Sequence, residues 1–241
     1  MASWKDLEAK LNAHLNLDRA PVGVTFCDTP PAGVRKFMGS VPSGCSFWRV
    51  AAEAPPGKGS FYTEAADHQN CPIGAYTHNI DQLDGGKNLN DMLGMMAQVG
   101  YVKMEEVPQI PRWPKTPAAV VYARLGEAKV APDVVIFAVH PTAAMLLGEA
   151  ARSAGVASNL PPLPRPTCMA IPAAASAGAT MSLGCIGNRI YTGAGDDHIY
   201  MMVRGADLEK VTAALETIKN ANDQLAAFHN ERKPGLTRAE S

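Results

Sequence analysis

The 241-residue sequence has few aromatic residues (6%) and a modest share of charged ones (19%). Neither sign of charge dominates: 22 Lys and Arg stand against 23 Asp and Glu, for a formal net charge of -1. A broad basic surface for nucleic acid is therefore unsupported. No apolar run reaches the roughly 18 residues of a membrane-spanning helix. The start, Met1-Ala-Ser-Trp-Lys-Asp, leads into an amphipathic pattern and not into the apolar region of a signal peptide. A cytoplasmic protein that meets no membrane is the expectation. No Cys-x-x-Cys pair occurs, which excludes compact ferredoxin and zinc-ribbon spacings. Gly-x-Ser-x-Gly and His-Glu-x-x-His are missing as well. The segment Gly193-Ala-Gly195-Asp-Asp197-His198 lacks both a following Lys-Ser/Thr and the Rossmann spacing, so it is not read as a nucleotide loop. What remains is an apolar fraction of 46%, enough for a core, with 11 methionines and five cysteines. In a reducing compartment those cysteines are not expected to form disulfides.

The hydrophobic pattern alternates between strand and helix. Trp4, Leu7, Leu11 and Leu15 follow helical spacing behind Ser3, a good N-cap. Short β-branched runs at 21–27, 118–124, 133–139 and 198–204 read as strands. Helices are expected over 45–54, 90–102, 142–153 and 207–231, and Pro72 would place Cys71 at a helix start. Residues 167–179 read as an Ala-rich segment broken by Pro172, and 233–241 as a polar tail. The expected class is α/β.

The cysteines suggest a finer organisation. A strand PVGVTF precedes Cys45, then Cys71-Pro-Ile-Gly-Ala-Tyr76-Thr77; a strand DVVIFAV precedes Cys168, then Cys185-Ile-Gly-Asn-Arg-Ile-Tyr191-Thr192. Each half thus carries two cysteines after a strand, and Cys27 has no counterpart. This echo predicts one compact unit over 1–241, built from two diverged internal repeats with pseudo-two-fold packing. The half-repeats would span 18–104 and 118–206, followed by a C-terminal helix over 207–232. Near such an axis Cys45, Cys71, Cys168 and Cys185 would converge, and four thiolates suit an iron–sulfur cluster or tetrahedral zinc. Gly44, Gly74 and Gly187 would let the backbone approach a bulky cofactor. The alternative is four buried cysteines packed as small hydrophobes.

At these residues the chain resembles the domain-of-unknown-function 169 family of bacterial and archaeal proteins. The matching pieces are Ser43-Gly44-Cys45 with Arg49 and Ala51, Cys71-Pro-Ile-Gly-Ala, Pro132-Asp-Val-Val-Ile with Pro141 and Met145, Cys168, and Ser182-Leu-Gly-Cys185-Ile-Gly-Asn-Arg189. They cover most of the chain, from about Pro21 to the last helix. The family pattern includes the four cysteines but not Cys27. This sequence departs from it at 66–70, where His68 adds a ligand type, and at Asn188, often Asp in the family. The resemblance implies the four-cysteine grouping and a prokaryotic cytoplasmic origin, and no established reaction.

Several polar residues are candidates for chemistry. His68 lies three positions before Cys71, as a metal ligand, a proton donor or a plain loop histidine. Arg49 and Arg189 follow Cys45 and Cys185 by one helical turn, to hold a small anionic substrate or to form internal ion pairs. Tyr76 and Tyr191 would flank a pocket or pack. His140 follows a strand end, where α/β proteins often bind ligands. Asp196, Asp197 and His198 offer a divalent-metal set, with a solvated acidic turn as the blander reading. The function expected first is one [4Fe–4S] cluster on the four cysteines, serving an electron-transfer partner, oxidoreductase chemistry or lyase chemistry on a small anionic substrate. The alternatives are a structural zinc protein acting as a binding or adaptor module, and a metal-free thiol protein.

Overall fold

The computed structural model describes residues 2–80 and 84–233. All of the polar tail except Lys233 lies outside the described residues. The first helix, α1 (Trp4–Leu15), starts as expected: Ser3 and Asp6 form a capping box, each satisfying the other's backbone N–H. In chain order there follow β1 (Val22–Cys27), β2 (Arg35–Lys36), α2 (Ser46–Glu53), β3 (Ser60–Thr63), α3 (Pro72–Thr77), α4 (Lys87–Gln98) and β4 (Ala119–Arg124). Beyond them come β5 (Val134–Val139), α5 (Pro141–Ser153), β6 (Pro162–Leu163), α6 (Ala170–Ala177), β7 (Ala179–Ser182), α7 (Ile186–Thr192), β8 (Ile199–Arg204) and α8 (Leu208–Arg232). The α/β class is thereby established.

The strands form one eight-stranded sheet in the order β2-β3-β4-β1-β5-β8-β7-β6. Its pairs are antiparallel except at the two edges, where β2 lies parallel to β3 and β6 parallel to β7. Side-chain alternation sorts the core onto two faces. Val135, Phe137, Val139, Met201 and Val203 point to one face and pack under α1, α5 and α8. Val134, Ile136, Tyr200 and Met202 point to the other, with Phe47, Trp48 and Ala51 of α2 and Ile171 and Ala174 of α6.

The segment 167–179 departs from the sequence-based expectation. The Ala-rich segment stops as a helix at Ala177, because Gly178 turns at φ 92°, and the chain re-enters the sheet as β7. Pro172 does not break α6, since it sits in the first turn, where no intrahelical N–H is needed. The helix α7 also forms behind Cys185, an element that no apolar period announced.

Candidate metal centre

The register of β5 and β8 builds the centre. These strands pair antiparallel with Val139 opposite Ile199 as the last couple. One step further along the ladder, His140 and His198 become cross-strand neighbours, as facing positions of a pair must. Their ring centroids lie 4.4 Å apart. His140 also serves as N-cap of α5, with Pro141 fixing the first turn. The amide of His198 donates to Gly195 O at 3.0 Å, closing the turn that leads into β8.

Asp18 reaches this pair from the other end of the chain. Helix α1 ends because Asn16 takes a left-handed conformation (φ 49°) and sends its N–H back to Asn12 O. The chain then folds over the strand ends. Arg19 anchors it there, donating to Thr192 O at 3.0 Å and Gly193 O at 2.7 Å. Asp18 Oδ2 lies 2.9 Å from His198 Nε2 and 3.7 Å from His140 Nε2. The ligand atoms of Asp18, His140 and His198 all fall within 4.8 Å of one another.

A second carboxylate holds the opposite edge of both rings. Asp197 Oδ2 is 3.2 Å from His140 Nδ1, and Asp197 Oδ1 is 3.1 Å from His198 Nδ1. One carboxylate therefore spans both Nδ1 atoms, while both Nε2 atoms face Asp18. Desolvation raises the Asp197 pKa, but the hydrogen bond from its own amide and the two histidines together outweigh it and hold the carboxyl below its ordinary value. The His198 side chain is only 8% exposed, whereas His140 and Asp18 are open to solvent at 47% and 43%. The buried ring is thus fixed and the other two groups can adjust.

The iron–sulfur expectation is corrected by this centre. The metal-ligand group among the described residues is Asp18, His140 and His198. Two imidazoles and a carboxylate suit a single divalent ion such as zinc, whereas a [4Fe–4S] cluster takes cysteine thiolates. Among the described residues the four thiols form no such group for a single ion. The oxidoreductase reading that rested on the cluster falls with it.

The four cysteines instead surround a cavity of about 360 Å³, each carried at the start of a different helical element. Ser43 Oγ lies 3.2 Å from Cys45 Sγ and 3.5 Å from Cys71 Sγ. Burial pushes the Cys45 thiol up to about 12; Cys71 and Cys185 add to this, and Ser43 and Asn188 oppose it. Burial raises Cys168 well above its usual range too. Only the thiolate is a nucleophile, so a raised pKa leaves little reactive form at neutral pH. Iodoacetamide at pH 8 is therefore expected to label Cys45 at least about tenfold more slowly than glutathione. Peptide mass spectrometry over a time course measures this, and equal rates would contradict the burial argument.

The other sequence candidates fall partly at the same cavity and partly elsewhere. Gly44, Gly74 and Gly187 line the thiol cavity, as does Tyr191. His68 is 1% exposed, with Nε2 2.8 Å from Thr63 Oγ1 and a pKa depressed by burial to about 3. Arg49 lies on the surface, bonded to Glu53 at 2.8 Å. Tyr76 donates to Val107 O at 3.2 Å, under the guanidinium of Arg112. Arg189 donates to backbone oxygens of Leu183, Gly195 and His198, and so braces the turn that carries His198. Asp18 was missed by the sequence reading; its only signal is an acidic residue shortly after a helix-ending Asn16.

Among the described residues no helix is long and apolar enough to cross a membrane. The model of one protein family, described as DUF169: Uncharacterised ArCR, COG2043, matches residues 10–214. No curated protein and no solved structure matches the chain.

Proposed function

The chain belongs to the DUF169 family, and from that premise and the paired histidines we propose that it is a metal-binding protein holding one divalent ion of the zinc type. The observation that carries this is the bridge made by Asp197 across both Nδ1 atoms. A histidine that ligates through one ring nitrogen commonly donates the other N–H to a carboxylate, which fixes tautomer and orientation. Here one carboxylate serves two rings and leaves both Nε2 lone pairs directed at Asp18. The ion would tie the segment after α1 to the ends of β5 and β8, joining residues 180 positions apart in sequence. Three protein ligands leave one tetrahedral position for water or a small anion. A cleft of about 280 Å³ beside Asp18 and His140, with His14, Thr142 and Lys219 in its wall, favours a small anionic partner there. Arg189 acts as a positioning residue through the carbonyl of His198.

The strand order supports a second part of the reading, an internal duplication. Exchanging β1 with β5, β2 with β6, β3 with β7 and β4 with β8 returns the same order read from the opposite edge. In this proposal the halves run from β1 to β4 and from β5 to β8. They meet at the central β1–β5 pair, and α2 corresponds to α6 and α3 to α7.

Calorimetric titration of the chelator-treated protein with Zn²⁺ tests the metal reading. One ion per chain is expected. Asp197→Asn offers a single acceptor oxygen for two ring N–H groups, so affinity should fall by about 10- to 100-fold. Absence of saturable zinc binding, or an unchanged affinity in the variant, would remove the basis of the proposal.

A further inference from the structure

The thiol-lined cavity belongs to none of the foregoing. Its walls are mainly apolar, and beside Cys45, Cys71, Cys168 and Cys185 they include Met92, Met95 and Met96. Three buried side chains in the same wall, Trp48, His78 and Asn188, carry polar atoms without a hydrogen-bond partner. Asn188 is 2% exposed and lies beside Cys45, with neither amide atom in a well-formed hydrogen bond, and His78 is 2% exposed with both ring nitrogens unpartnered. Buried polar atoms left without a partner are costly and call for an explanation. Space is also kept clear around one thiol: a Cβ at Gly74 would lie 2.8 Å from Cys71 Sγ, and one at Gly44 3.6 Å from it.

We propose that this cavity is a second metal site, for soft monovalent ions of the cuprous type, separate from the Asp18–His140–His198 centre. Thiolate and thioether sulfur select soft metals, while hard hydrated ions favour oxygen. The spacing agrees. Among the described residues the four thiols form no ligand group for one tetrahedral ion. Cuprous ions accept low coordination numbers, so pairs of these thiols suffice. Each thiol that binds gives its proton to solvent and its sulfur lone pair to Cu(I), with no change in oxidation state. The positive ion offsets the thiolate charge that the apolar wall otherwise disfavours. Asn188, next to Cys45, can then donate its amide N–H to the bound sulfur, and His78 offers a further nitrogen.

The test is anaerobic titration of the metal-free full chain with Cu(I) against a competing cuprous chelator, with proton release recorded in weak buffer. The wild type should withdraw copper from the chelator, release protons, and show sulfur neighbours by X-ray absorption. Cys45→Ser/Cys168→Ser should lose at least about 100-fold in affinity, more than a typical loss of an outer partner. Cys27→Ser and His140→Ala/His198→Ala should match the wild type, which separates this site from the zinc proposal. If the double serine variant does not fold by far-UV circular dichroism, Cys185→Ser carries the same expectation. The proposal is overturned if copper affinity is unchanged by the serine substitutions or follows the histidines. It is equally overturned if the anaerobically isolated chain holds iron and acid-labile sulfide on these cysteines.

Discussion

Replacing His140 and His198 together by alanine is expected to abolish zinc binding while leaving the fold in place. Both Nε2 donors disappear, and Asp18 alone is a weak monodentate carboxylate site. The substitutions themselves should disturb little apolar packing, since neither ring belongs to the main core clusters. The effect is read most clearly through linkage. An ion that binds only the folded chain stabilises it by about 2.7 kcal/mol when present at 100 times its dissociation constant. For a chain of this size that corresponds to a rise in Tm of roughly 5–11 °C. Wild type heated with and without excess Zn²⁺ should show this rise, and the double variant none. A variant that keeps the zinc-dependent shift would mean that the ion sits elsewhere. The single variants refine the result. His198, with its side chain 8% exposed, is the fixed ligand, and its loss should cost more affinity than loss of the solvent-facing His140.

The largest effect on stability is expected from Gly205→Ala. Gly205 directly follows β8, is buried, and donates its N–H to Asp133 O at 2.8 Å. A Cβ at this position would overlap the carbonyl oxygen of Pro132 and lie 2.8 Å from its carbonyl carbon. Both are backbone atoms, so no side-chain rotation relieves the overlap. Either the β5–β8 ladder must separate at this end or the 132–133 turn must move. Overpacking in a well-packed region costs typically 1–3 kcal/mol, and a backbone clash this close should lie at or above the upper end, about 3 kcal/mol. That is a large share of a total stability of about 5–15 kcal/mol. Urea unfolding should show a lower midpoint with an unchanged slope. A loss below about 1 kcal/mol would show that this turn yields more easily than its packing indicates.

Much of the secondary structure was legible before the fold was known. Ser3 and the Leu7-Leu11-Leu15 spacing identify α1 because capping and helical periodicity are local properties. The β-branched runs of β1, β4 and β5 read as strands for the same kind of reason. Cys71 does stand at a helix start, ahead of Pro72. Edge strands β2 and β6 are two residues each and exist only as pairings with β3 and β7, so no run within them could announce them. The boundary between α6 and β7 falls inside a run of small residues with no period of its own, where Gly178 decides it.

The metal centre divides along the same line. His140 and His198 were visible one at a time, as a strand-end histidine and as part of an acidic turn. Their pairing depends on which strands neighbour each other and in what register, and Val139 meets Ile199 only because the sheet sets β5 beside β8. Asp18 joins them because the left-handed turn at Asn16 and the anchor of Arg19 bring the chain back across the strand ends. The cysteines show the converse. Their residue type and the echo between the two halves suggested that they share a site, and they do line one cavity, but the separation of their sulfurs was set by four helix starts in different parts of the sheet packing. Sequence alone determined the local elements and the chemical types on offer, because caps, periodicity and side-chain chemistry act over a few residues. Only the tertiary structure decided which donors meet within bonding distance, because that depends on strand order and register between segments far apart in the chain.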